Sequence, residues 1–179
     1  MSVKIGYIIG SPSSTSINRA MFDAVKRNAP QGVEFTEIEI KDLPFYSPDH
    51  DGSYPEVATQ FKAAIADADA VVVVTPTYND SFSGYVKNAI DWASRPWGQH
   101  SFNGKVSAVA AASISPHGGR PGAEALAAVL AFGEAKVLEH QLRVSVAAST
   151  YDEDGNFADE ALRAEAREFL EAIVGNATR

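Results

Sequence analysis

Residues 71–92 read VVVVTPTYNDSFSGYVKNAIDW. Val71 to Val74 is apolar at every position rather than at alternate ones, the pattern of a strand buried on both faces of a parallel sheet. Thr75 to Phe82 is polar and is stiffened by Pro76. From Ser83 onward, Val86, Ala89, Ile90 and Ala93 recur at helical spacing. Buried strand, polar loop and helix, in that order, make one unit of an open parallel sheet. Sheets of this kind bind ligands in the crevice beyond the carboxyl ends of their strands.

An earlier segment, KIGYIIGSPSSTSINRAMF, has the same order: strand, then glycine and hydroxyls, then helix. Along the rest of the chain the pattern predicts strands over Val3 to Ile9, Val33 to Ile40, Ala70 to Thr75, Lys105 to Ala112 and Val137 to Val146. The last would be in two pieces around His140. Helices are predicted over Ser16 to Asn28, Glu56 to Asp67, Ser83 to Ser94, Gly122 to Phe132 and Asp159 to Val174. VEFTEIEI alternates, so the second strand has one wetter face and belongs at an edge. Lys41 to Pro55 holds three prolines and reads as a long loop. Strands separated by helices, joined by right-handed crossovers, give a doubly wound parallel sheet.

The chain has 179 residues, 45% hydrophobic and 21% charged, which suits one globular domain spanning 1–179 with a full core. No apolar run approaches the ~20 residues of a membrane span. MSVKIGYIIG has strand composition and no small-residue cleavage site follows it, so the expected compartment is the cytoplasm. With no cysteine, disulfides and thiol redox chemistry are excluded. A redox function would therefore use a borrowed cofactor. The net charge of −8 disfavours a nucleic-acid surface or an anionic membrane. It does not prevent local N–H groups from holding one phosphate.

Three loops carry the chemistry. In GSPSSTSIN, Gly10 allows close approach and Ser11, Ser13, Ser14, Thr15 and Ser16 bring hydroxyls to a helix start, with Asn18 in the first turn. GxxxxGK[ST] and GxGxxG are both absent. The loop fits a monophosphate held by hydroxyls and backbone, although a serine before a helix can equally be a plain cap. In the second loop Pro76, Thr77, Tyr78 and Asn79 offer backbone donors and acceptors beside an aromatic ring, as a planar heteroaromatic ligand needs. The third, SISPHGGRPG, places Ser113, Ser115, Gly118 and Gly119 where paired glycines permit close approach or positive φ. His117 has no partner carboxylate at recognisable spacing. His50, His100 and His140 form no metal-ligand pattern. No metal site and no catalytic side chain are expected.

Taken together the loops resemble the NADPH-dependent FMN reductase family, a branch of the flavodoxin-like superfamily. That family has a GSxRxxSxN phosphate loop, a PEYNxSxPGxLKNAIDWxSRP segment and a GG loop after strand four. This chain has GSPSSTSIN, PTYNDSFSGYVKNAIDWASRP and SPHGGRPGAEAL, and KNAIDWASRP (Lys87 to Pro96) is the most specific match. The resemblance implies a flavodoxin-like three-layer α/β sandwich with a five-stranded parallel sheet of order 2-1-3-4-5. It implies FMN with its phosphate among Ser11, Ser13, Ser16, Ile17 and Asn18. Pro76 to Asn79 would then line the ring, with Ser113, Ser115, Gly118 and Gly119 at its pyrimidine side. Ser13 stands where the family has Arg, Thr77 where it has Glu, which changes the charge beside the ring, and Ser83 where it has Pro.

The implied activity is hydride transfer from NADPH or NADH to FMN, then to a quinone-like or other small acceptor. Such chemistry needs position more than an acid or base. A flavodoxin-like electron carrier without a nicotinamide site is the alternative, but short-chain flavodoxins lack the KNAIDW helix. Arg19, Arg95 and Arg120 are the candidates to meet a 2′-phosphate. A homodimer or homotetramer is expected through the Ser83 to Ser94 helix and the loop through Trp97, with Trp92 and Trp97 as the aromatics a partner could cover. Lys87 and Asp91, at i and i+4, are expected to pair locally.

Overall fold

The computed structural model describes residues 2–178. In chain order the elements are β1 (Val3–Ile9), α1 (Ile17–Arg27), β2 (Val33–Glu37), α2 (Glu56–Asp67), β3 (Ala70–Val74), β4 (Thr77–Tyr78), β5 (Ser81–Phe82), α3 (Gly84–Ala93), β6 (Val106–Ser113), α4 (Arg120–Phe132), β7 (Lys136–Val137), β8 (Leu142–Ser145) and α5 (Glu160–Ala177). The main sheet runs β2-β1-β3-β6 and ends on β7 and β8, which both pair with β6. Every pairing in it is parallel. β7 and β8 are the two pieces of the expected fifth strand, interrupted at 138–141, so the order 2-1-3-4-5 holds with β2 at one edge. The sandwich is flavodoxin-like.

The four valines are buried because they serve two cores at once. Val72 and Val74 face α1 and α5, meeting Met21, Phe22, Phe169 and Leu170. Val71 and Val73 face the other way, toward Phe61, Ile65, Val86, Ile90 and Leu126 of α2, α3 and α4. Three helices begin on side-chain caps that accept a backbone N–H: Ser16 for α1, Ser83 for α3 and Asp159 for α5. Among the described residues no helix is long and apolar enough to cross a membrane.

Several boundaries differ from expectation. β2 stops at Glu37 rather than Ile40, although the Ile38 N–H still reaches Tyr7 O at 2.8 Å. The loop over 41–55 contains one short 3₁₀ turn, Pro48–His50, capped by Ser47. α4 starts two residues earlier than expected, with Pro121 inside its first turn where a missing N–H costs nothing. α5 runs three residues past Val174. The loop after β3 is a two-stranded antiparallel hairpin, closed by Asn79 and Asp80 at φ 49° and 63°. Two consecutive positive φ values are the mark of a tight hairpin turn, which Asn and Asp tolerate best among non-glycine residues.

Candidate flavin site

The three loops singled out in the sequence leave β1, β3 and β6, which are adjacent in the sheet. Their tips are bound to one another. Ser83 Oγ donates to Gly10 O at 2.6 Å, and the Ser83 N–H donates to Thr75 Oγ1 at 3.2 Å, joining the first loop to the start of α3. Thr77 Oγ1 donates to Gly119 O at 2.9 Å and accepts from the Gly122 N–H at 3.2 Å, joining the hairpin to the third loop. Ser83 therefore replaces the family's proline without loosening the edge: it caps α3 and holds the first loop.

The first loop fits a phosphate. α1 has no acidic residue in its first turn, and the N–H groups of Ile17 and Asn18 have no hydrogen-bond partner among the described residues. Ser11 and Ser16 are buried at the base of the loop, whereas Ser13, Ser14 and Thr15 are exposed. Ser13 Oγ lies 3.2 Å from Thr15 Oγ1 and accepts the Thr15 N–H, which folds the loop into a small hydroxyl cluster. Ser16 is also a plain cap, accepting from the Arg19 N–H at 3.2 Å. Gly10 is needed for a different reason from the expected one. A Cβ there would fall 2.5 Å from Val86 Cγ2 and 2.9 Å from Val74 O, so the close approach is to α3 and β3.

The Asn18 side chain is committed elsewhere. Its amide donates to Ala112 O at 3.1 Å and accepts from the Ala112 N–H at 2.8 Å, acting as a strand mimic that ties α1 to the end of β6. Asn18 is 1% exposed. What it offers a phosphate is its backbone N–H. Thr77 is likewise turned into the third loop, so its hydroxyl is spent on Gly119 and Gly122. Tyr78 is half exposed on the hairpin. Gly118 and Gly119 adopt φ 57° and 81°, as the paired glycines predicted. Ser113 Oγ accepts the Ser115 N–H at 3.1 Å, tightening the turn into that loop.

Beside the first loop lies a cleft of about 200 Å³ between Ser11 to Ser14, the end of β2 and Tyr85. Arg19 closes one wall by a bidentate pair with Glu37, at 2.8 and 2.5 Å. That pair holds the Glu37 carboxyl below its ordinary range, while burial pushes the neighbouring Tyr7 phenol up. Arg19 is thus already paired. Arg95 is held too, 3.9 Å from Asp51 and over the ring of Tyr46. Of the three arginine candidates, Arg19 is hydrogen-bonded to a carboxylate, and Arg95 and Arg120 each lie 3.9 Å from one.

The KNAIDW helix has a structural task. Asn88 accepts the Tyr46 N–H at 2.9 Å and donates to Pro44 O at 3.0 Å, and Trp92 Nε1 donates to the same Pro44 O at 2.8 Å. The rings of Tyr46, His50 and Tyr54 surround the indole with centroids 5.3–5.8 Å away. Trp92 is fully buried within its own chain and is not available to a partner, which corrects the expectation from the apolar stripe. Lys87 and Asp91 pair locally at 2.7 Å, as expected.

The model of NADPH-dependent FMN reductases matches residues 3–149, a span that includes all three loops. The chain belongs to that family. It is an FMN-dependent NAD(P)H oxidoreductase. The 2-hydroxy-1,4-benzoquinone reductase of a Burkholderia species is 37% identical over 172 residues, covering 96% of this chain and 94% of that protein. A quinone reductase of Pseudomonas putida is 34% identical, covering 95% and 90%. Among solved structures, FerB, a flavoenzyme NAD(P)H:(acceptor) oxidoreductase from Paracoccus denitrificans, superimposes with a TM-score of 0.92. It is 31% identical, covering 98% of this chain and 97% of that one.

Proposed function

We propose that this oxidoreductase acts on quinones as a single 1–179 domain in the cytoplasm, taking reducing equivalents from NADPH or NADH. The observation that carries the reading is the convergence of three carboxyl-end loops into one hydrogen-bonded edge. It has unspent helix N–H groups at one end and paired glycines at the other. Relatives that match over nearly the full chain and carry the name quinone reductase support the acceptor class.

When bound, FMN supplies the hydride chemistry. This chain's own residues bind and orient. The hydroxyls of Ser11, Ser13 and Ser16 and the N–H groups of Ile17 and Asn18 would hold the phosphate at the start of α1. Pro76 to Asn79 would give the ring a stiff wall, because the hairpin is anchored through Thr77. Ser113, Ser115, Gly118 and Gly119 would lie at the pyrimidine side of the ring, where glycines allow close backbone approach. No acid or base pair is needed for a step governed by stacking and distance.

The assembly completing this reading is a homodimer, or a homotetramer built from it. A groove of about 530 Å³ between α3 and α4 is floored by Ile90 and Val129 and flanked by Trp97 and Phe132. Those two side chains are 85% and 88% exposed. Lys87 and Asp91 put both charge signs on the same face, which suits an isologous contact.

The test is anaerobic spectroscopy of the purified protein. The flavin absorbance should bleach with NADPH or NADH and recover on adding benzoquinone. A yellow protein that dithionite bleaches but neither nicotinamide cofactor does would be an electron carrier. A colourless protein that does not take up FMN would remove the flavin assignment.

A further inference from the structure

Glu124 of α4 lies between two guanidinium groups from different elements: Arg120 Nε at 3.9 Å and Arg143 Nη1 at 3.6 Å. Both separations exceed hydrogen-bond length, so neither fork spends its N–H donors on the carboxylate. Two cations share one anion, leaving a surplus positive charge on a chain whose net charge is −8. The site is held in place from beneath. Gly118 packs directly on the backbone of β8: a Cβ there would meet the Arg143 carbonyl carbon and the Val144 nitrogen at 3.0 Å. That contact fixes Arg143 beside the third loop, while Arg120 stands at the first position of α4, just past Gly119. Both side chains are exposed.

We propose that Arg120 and Arg143 form the subsite for a phosphate group of the nicotinamide dinucleotide. The inference rests on the reductase reading, in which the third loop borders the flavin ring and the dinucleotide binds beside it. A polyanionic dinucleotide approaching an acidic protein needs local positive charge to offset the repulsion. Arg19 is hydrogen-bonded to Glu37, and Arg95 faces Asp51 one to one, whereas Arg120 and Arg143 share the single carboxylate of Glu124. Two planar forks converging from α4 and β8 match the geometry of a phosphate better than flexible ammonium groups would. The helix start itself adds nothing, because the Gly122 N–H is taken by Thr77 and the Ala123 N–H by Gly119 O. Glu124 is then a gate on strength: it lowers the positive potential without occupying the donors.

Isothermal titration of the FMN-loaded protein with adenosine 2′,5′-bisphosphate and with ADP tests this. The Arg120→Ala/Arg143→Ala variant should bind roughly tenfold more weakly. The Glu124→Gln variant should bind several-fold more tightly, about what removing one nearby charge gives. A purely structural pair would not produce that gain. Loss confined to the 2′,5′-bisphosphate assigns the subsite to the 2′-phosphate and makes the enzyme prefer NADPH. Loss for both probes assigns it to the pyrophosphate. Neither probe changing in either variant, or no binding by the parent protein, overturns the proposal. Flavin bleaching by NADPH, recorded on the same samples, reports separately on the reductase reading.

Discussion

Thr77 and Gly119, 42 residues apart, are joined by a 2.9 Å hydrogen bond from the threonine hydroxyl to the glycine carbonyl. The same oxygen accepts the Gly122 N–H, so one side chain fixes the hairpin after β3 against the start of α4. Space there is tight. A Cβ on Gly122 would lie 2.6 Å from Thr77 Oγ1 and 3.2 Å from Pro76 O, neither of which can swing away.

Thr77→Val keeps the shape and removes both bonds, so stability should fall by about 1–2 kcal/mol. Gly122→Ala forces the hairpin off α4 and should cost about 1–3 kcal/mol. Both variants should also bind FMN more weakly, because two walls of the site separate. Urea unfolding and flavin-fluorescence titration measure the two effects. Unchanged FMN affinity in both would mean that the hairpin does not line the ring.

Ser16 and Asn18 should separate cleanly under alanine substitution. Asn18→Ala strands the buried N–H and C=O of Ala112 and should lower stability by about 2–4 kcal/mol. Ser16→Ala removes a helix cap worth about 1 kcal/mol and a hydroxyl at the phosphate. The thermal midpoint should therefore drop much further for Asn18→Ala. At a temperature where both are folded, Ser16→Ala should be the variant with the larger loss of FMN affinity. The reverse order would place the phosphate on the Asn18 side chain.

The sheet was legible because burial on both faces leaves a mark no other element shares: four consecutive valines feeding two cores, or an alternating VEFTEIEI at an edge. The β4–β5 hairpin was not, since two-residue strands carry no periodicity and Asn79–Asp80 reads as ordinary loop. The apolar stripe of α3 told which face is covered but not by what. Trp92 meets the chain's own loop around Pro44, 48 residues away, and only Trp97 stays outside. Asn18 and Arg19 point the same way. Each stood in a plausible ligand position, and each is claimed by a partner far along the chain, Ala112 and Glu37, that no local spacing reveals.

The Arg19–Glu37 pair gives the chain a pH dependence of known sign. Arg19 holds the Glu37 pKa below its unfolded value of 4.5. The pair's contribution is therefore complete above pH ~4.5 and is lost as pH falls through the depressed folded value. Glu37→Gln should cost about 1–2 kcal/mol at pH 7, allowing for an arginine that is 42% exposed. The parent and variant should converge in stability as the pH drops well below 4.5. A difference that stays constant down to pH 3 would mean that shape, not charge, carries the effect.

The two tryptophans report on the α3–α4 groove. Trp92 is fully buried and Trp97 is 85% exposed, so Trp92→Phe leaves a single indole on the rim of the proposed interface. The substitution loses the Pro44 hydrogen bond but keeps an aromatic ring among Tyr46, His50 and Tyr54, at a cost of about 1–3 kcal/mol. In this variant at micromolar concentration, Trp97 should emit as a shielded indole and resist acrylamide, because a second copy covers it. Dilution should shift the emission to the red and open it to quenching. Adding Phe132→Asp should give the exposed spectrum at every concentration, since a carboxylate cannot be buried unpaired across the groove. The flavin, if its site is completed by assembly, should dissociate over the same dilution range. A red, freely quenched Trp97 at high concentration, with FMN fully bound, would mean that the protein works as a monomer and that Trp97 and Phe132 remain open to solvent.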